Sequence, residues 1–118
     1  MKVKFITDRD SKDETLIYLH DIFSFHSIQF DASNFSKINL SKESEESKEN
    51  IIILDQIVDG VASIINLQKI YESLSFDKIY LLTSKNFTEN EEMIINKYKI
   101  SVFTLPINEN EIFNRIIN

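Results

Sequence analysis

Short apolar runs alternate with amphipathic stretches along this chain, and that alternation is its main structural signal. Five runs read as strands: Val3 to Thr7, Ser27 to Asp31, Ile51 to Asp55, Lys78 to Thr83 and Ile100 to Thr104. The third, Ile51-Ile52-Ile53-Leu54-Asp55, is the most apolar stretch of all. Branched apolar residues without polar alternation mark a strand covered on both faces. A carboxylate directly after such a strand lies where the backbone leaves the core and meets solvent.

The intervening stretches carry helix signals. Ser11-Lys12-Asp13-Glu14 is a capping-box pattern, and Leu16, Leu19 and Phe23 follow on one face. Phe23, Phe25 and Phe30 are expected in the core, with Ile28 and Phe30 pointing the same way along the second strand. Residues 35 to 50 are polar and serine-rich, which predicts a solvated crossover holding at most a short helix. Beyond Gly60, the spacing of Val61, Ile64, Leu67, Tyr71 and Leu74 predicts a long amphipathic helix. Thr88-Glu89-Asn90-Glu91 is a second capping box, ahead of Met93, Ile94 and Ile95. Pro106 stops the fifth strand, and Asn108 caps a last helix whose Ile112, Phe113, Ile116 and Ile117 are expected to face inward. That helix reaches Asn118 on an apolar stripe, so the expectation is a front piece of a longer protein.

Strands alternating with helices predict one α/β domain over residues 1–118, with a parallel sheet covered on both faces. The expected arrangement is a flavodoxin-like (βα)5 three-layer sandwich in strand order 2-1-3-4-5, with a short or irregular second helix.

Composition removes several function classes. The 118 residues can bury a core without covalent staples, and 42% apolar with 27% charged residues is an ordinary globular balance. With no cysteine, disulfides and thiolate metal sites are excluded. His20 and His26 are too few for a histidine metal cluster and are expected at the surface or at a helix end. A net charge of −6 argues against direct nucleic-acid binding by this domain. The single glycine rules out glycine-rich phosphate loops. No apolar run approaches the roughly 20 residues of a membrane helix, and the start lacks a signal-peptide pattern. No membrane association is expected, and the cytoplasm is the expected location.

In a 2-1-3-4-5 sheet, the ends of four neighbouring strands share one edge, where ligands collect in open α/β sheets. They present Thr7-Asp8-Arg9-Asp10, then Asp55, then Thr83-Ser84, then Thr104-Leu105-Pro106. Through Ile-Ile-Leu-Asp55, Leu-Leu-Thr83-Ser84, Thr104-Leu105-Pro106 and the early Asp8, the chain resembles the receiver domains of bacterial response regulators. The resemblance covers essentially its whole length. It implies that Asp55 is the aspartate accepting a phosphoryl group from a histidine kinase. It also implies a divalent cation such as Mg²⁺, held by Asp55 and the acids Asp8 and Asp10, to offset phosphoryl charge. Thr83 matches the hydroxyl that bonds the phosphoryl oxygen, and Pro106 the family's proline after strand five.

The departures from the family are specific. Active receivers end strand one with two adjacent acids; here Arg9 puts a cation beside Asp8. Leu105 replaces the lysine that pairs with phosphoryl oxygen, and leucine cannot do so. Lys85 is the nearest substitute in sequence. The stretch from Asp55 to Gly60 is short and lacks the customary proline, and Ile57 would offer its carbonyl to the metal. The aromatic switch position falls on Val102, beside Phe103. In family members the face of helix four, strand five and helix five mediates dimerisation; here it carries Met93, Ile94, Tyr98, Phe103 and Phe113.

The expectation is therefore an atypical receiver domain in two-component signal transduction, with weak or absent phosphorylation at Asp55. It would act through protein contacts, with a histidine kinase or other signalling protein or as a homodimer, and at most phosphorylate itself. With a DNA-binding domain attached it would be a transcriptional regulator; alone, an adaptor. Two alternatives stand beside it. One is a competent receiver using Mg²⁺. The other is an unrelated flavodoxin-like module binding a nucleotide or flavin, which would need phosphate-cradling glycines or aromatic stacking loops that the chain lacks.

Overall fold

The computed structural model describes residues 1–37, 50–84 and 86–118. Five strands form one parallel sheet: β1 (Lys2–Ile6), β2 (Gln29–Ser33), β3 (Asn50–Leu54), β6 (Lys78–Thr83) and β7 (Ser101–Thr104). Their spatial order is β2-β1-β3-β6-β7, which counted along the chain is the expected 2-1-3-4-5. Register is uniform across the centre: Ile6 pairs with Leu54, and Leu54 with Leu81. β3 is buried from Ile51 to Leu54, as an unalternating apolar run in a central parallel strand should be.

Successive residues of each strand feed two separate cores, because side chains alternate between faces. On one face Val3, Phe5, Ile51, Ile53, Tyr80, Leu82 and Phe103 pack against α1 (Glu14–Phe25) and the C-terminal helix. On the other, Ile6, Ile52, Leu54, Ile79 and Leu81 meet α2 (Leu67–Ser73) and α3 (Glu89–Lys97). Helices thus cover both faces. Truncating a fully buried residue such as Ile53 to alanine would cost on the order of 2–5 kcal/mol.

Several local expectations change on contact with the structure. The first helix is capped by Asp13, whose carboxylate accepts from Thr15 N and Leu16 N, and not by Ser11. Asp10 instead closes the preceding turn, accepting from Lys12 N at 2.8 Å. Leu19 and Phe23 are buried as expected, but Phe25 is 81% exposed, because the helix ends there and the chain turns at Ser27 with positive φ. The second strand starts at Gln29 for the same reason. The Thr88–Glu91 capping box and the Asn108 cap are both present. After Asn108 the chain makes a short helix, α4 (Glu109–Ile112), continuing as a π-helical turn over Phe113–Ile117. Ile112 and Ile116 are buried, whereas Phe113 is part exposed.

The largest revision follows β3. The chain makes an antiparallel hairpin of β4 (Ile57–Val58) and β5 (Val61–Ala62), turning through Asp59 and Gly60, both with positive φ. A two-residue Asp-Gly turn suits the twist of a hairpin. Val61 therefore lies in a strand and Ile64 in a turn, and the helix expected from Val61 begins only at Leu67. The apolar spacing from 61 to 74 is real, but its first turn is taken by hairpin pairing. A second helix expected within residues 35–50 falls mostly on residues outside those described; a short 3-10 turn occupies Phe35–Lys37. Among the described residues, no helix is long and apolar enough to cross a membrane.

Candidate functional site

The pairing of Ile6 with Leu54 brings the ends of β1 and β3 side by side, and the residues that follow them meet. Asp55 is 3% exposed, a carboxylate almost wholly removed from water. Such a group needs partners for both oxygens. Thr7 Oγ1 donates to Asp55 Oδ2 at 2.6 Å, and Arg9 Nε donates to the same oxygen at 2.7 Å. Gln56 N donates to Oδ1 at 2.8 Å. The backbone is fixed as well: Asp55 N donates to Ile6 O, and the Ser63 hydroxyl donates to Asp55 O.

Arg9 is shared between two acids. Its Nη1 lies 3.2 Å from both carboxylate oxygens of Asp13, while Nε holds Asp55. Partial burial alone would lower the Arg9 pKa, but the hydrogen bond and charge of Asp55, then those of Asp13, hold it above its ordinary value. Arg9 is a permanent cation here. For Asp13, burial works upward, yet the Leu16 amide, the Arg9 guanidinium and the Thr15 amide together pull its pKa below the ordinary value.

Asp8 has a different task. Its two oxygens accept from Asp59 N and Gly60 N, each at 2.8 Å, so the carboxylate clasps the tip of the β4–β5 hairpin. Asp8, Arg9, Asp55, Gln56 and Ile57 line a common cleft of about 260 Å³. The adjacent Gln56 bridges to the next strand end: its Oε1 accepts from Ser84 N at 2.9 Å and Ser84 Oγ at 3.0 Å.

The residues singled out in the sequence are therefore brought to one edge but divided among several jobs. Asp55 is at the centre, and Asp8 shares its cleft while binding the hairpin. Asp10 is exposed and serves its own turn. Thr83 is buried and lines a neighbouring cavity with Gln56. Leu105 donates its N–H to Thr83 O at 2.8 Å, while its side chain packs into the core on the α1 side. The Leu105–Pro106 bond is cis. Lys85, the substitute considered for the missing lysine, lies outside the described residues. Val102 packs against the α2–α3 core, while Phe103 is buried on the other face and stacks on Tyr80 with ring centroids 5.0 Å apart. Of the expected dimer face, Phe103 is thus a core residue, and Met93 is its most exposed member.

Thr7, Gln56 and Ser63 contribute most of the site's remaining geometry and were not assigned roles from sequence. Thr7 could have been found by counting, since it follows Ile6 as Asp55 follows Leu54. No such signal exists for Gln56.

A divalent cation at this edge would have to share or displace donors that the chain itself supplies. Both Asp8 oxygens are engaged by amides, Asp55 Oδ2 by a hydroxyl and a guanidinium, and Oδ1 by an amide. Among the described residues, no group of three or more acidic or histidine side chains is arranged to hold a metal. No model of a known protein family matches the chain, and no curated protein matches it either.

Proposed function

We propose that this chain is a degenerate receiver-like signalling domain with a flavodoxin-like fold, working through protein contacts and without phosphorylation at Asp55. The observation that carries the reading is the 2.7 Å contact between Arg9 Nε and Asp55 Oδ2. In a competent receiver, Asp55 would attack phosphorus and a metal ion would offset the charge. Here a tethered guanidinium takes the metal's electrostatic role at the carboxylate. It also competes for the oxygen that would act as nucleophile.

The strand-end donors support the same reading. The backbone N–H and hydroxyl of Ser84, next to Thr83, are held by the chain's own Gln56. An incoming anion would have to displace that amide oxygen. Leucine at position 105 supplies no compensating cation. The strand ends are thus joined by internal bonds where an active receiver would use a phosphoryl group.

The test is an NMR titration with Mg²⁺ and beryllofluoride, a phosphoryl mimic. The expected result is no change at the amides of Asp55, Thr83 and Leu105. Saturable shifts at those three would establish the competent, Mg²⁺-using receiver instead. The variant Arg9→Asp sharpens the experiment by placing two acids side by side and removing the guanidinium. It should gain Mg²⁺-dependent shifts at Asp8 and Asp55 that the parent lacks.

A further inference from the structure

Next to the Asp55 cleft lies a second cavity of about 300 Å³, opening between the β4–β5 hairpin and the end of β6. Ile57, Ala62, Ile64 and Phe87 contribute apolar walls, and Gln56 and Ser84 contribute polar groups. Its size falls at the lower end of pockets that hold small molecules, and a mostly apolar lining with a few placed polar groups is their usual character. We propose that this cavity binds a small, uncharged molecule with an apolar body and one hydrogen-bond acceptor.

Three observations set that chemistry. First, the described lining offers no ionisable side chain, only apolar walls and neutral polar groups, a surface that suits an uncharged ligand. Second, two of the apolar walls come from a paired and clasped hairpin. Ile57 and Ala62 are cross-strand partners in the hairpin, whose tip is clasped by Asp8. Ile64 is buried, while Ile57 remains half exposed, as a wall residue of an open cavity should be. Third, Gln56 is oriented by its oxygen, which accepts twice from Ser84. Its amide nitrogen donates to no described protein atom and is left to offer hydrogens to a carbonyl, ether or hydroxyl oxygen.

The same glutamine gives the cavity a route to the buried carboxylate. Gln56 lines both the cavity and the Asp55 cleft, and its backbone N–H is bound to Asp55 Oδ1. A ligand held by the Gln56 side chain would therefore bear on the hydrogen bonding around Asp55 and Arg9. Binding itself does not depend on the receiver reading; only the idea that it supplies an input to a signalling domain does.

The probes are four neutral fragments, benzamide, acetophenone, indole and isovaleramide, with benzoate and benzylamine as charged counterparts of the first. They are titrated into the isotope-labelled protein. At least one neutral fragment should give saturable shifts in the millimolar range at the Ala62, Ser84 and Phe87 amides and the Gln56 side-chain NH₂. Benzoate and benzylamine should bind at least about tenfold more weakly than benzamide, a factor of ten corresponding to about 1.4 kcal/mol. Ala62→Phe, on the half-exposed hairpin, should fill the space and abolish those shifts. Ala62→Ser, which keeps the space open, should retain them. A concurrent shift of the Arg9 Nε–H signal would report the coupling to Asp55. Absence of saturable binding by all four neutral fragments overturns the inference. So does equal binding of the charged counterparts, or binding unaffected by Ala62→Phe. None of these outcomes bears on the beryllofluoride result, so the two readings fail separately.

Discussion

Asp8 and Asp55 end neighbouring strands and open on one cleft, yet they are held in opposite ways. Asp55 is buried and carries a guanidinium, a hydroxyl and an amide. Asp8 is exposed and, among the described residues, accepts from two backbone amides of a hairpin tip. The same side chain is in one case an internal ion whose charge must be matched, and in the other a solvated clasp. Burial sets what each can cost. An ion pair with a buried member is expensive to break from one side, whereas surface hydrogen bonds are worth about 1 kcal/mol.

The largest effect should come from removing Arg9. Arg9→Met leaves Asp55 buried without its cation and should destabilise the fold by about 2–3 kcal/mol, a figure set below the fully buried range because the guanidinium is partly solvated. Urea unfolding would read it. Adding Asp55→Asn to that variant should recover part of the loss, and a double-mutant cycle returning no coupling would mean the contact carries no energy. A smaller change is expected at the exposed partner. Asp8→Ala should cost about 1 kcal/mol and speed hydrogen exchange at the Asp59 and Gly60 amides while leaving the sheet amides protected.

The smallest effect concerns pH. Asp13 has a folded-state pKa below its unfolded value, so its contribution is complete above the ordinary carboxylate range and is lost as pH falls toward the folded value. Asp13→Asn should lower stability most near neutrality, where the carboxylate's contribution is complete, and least at low pH, so that the acid side of the profile flattens. Arg9 shifts the other way. Its raised pKa favours folding below the ordinary arginine value, with loss only at more alkaline pH, so it holds Asp55 across the whole accessible range.

How much of this was written legibly in the chain differs between sheet and site. The five strands follow from apolar runs, the central one long enough to bury both faces at Ile51 to Leu54, and the first helix from the one-sided spacing of Leu16, Leu19 and Phe23. The strand order comes from the flavodoxin-like arrangement expected of such alternation and not from any residue. Asp55 stands out because it terminates the deepest run. The hairpin did not stand out, although Asp59-Gly60 is a strong turn pair, because Val61 and Ile64 also fit a helical face and four paired residues give little periodicity. The opposed duties of Asp8 and Asp55 were hidden for another reason. Both follow strands, and only the folded arrangement distinguishes the carboxylate that turns toward Arg9 from the one that reaches a loop 51 residues away. Phe25 illustrates the remaining gap: an aromatic at the last position of a helix can face either way, and here it faces solvent.

The two-residue tip between Val58 and Val61 also sets a constraint on length. Pairing of Ile57 with Ala62 depends on that tip being as short as it is. One added residue there would slide the two strands out of step, draw the Asp59 and Gly60 amides away from Asp8, and change which side chains line the neighbouring cavity. Insertions between Asp55 and Ser63 should accordingly be tolerated less well than their surface position suggests, because the spacing of that segment is part of the architecture of the edge.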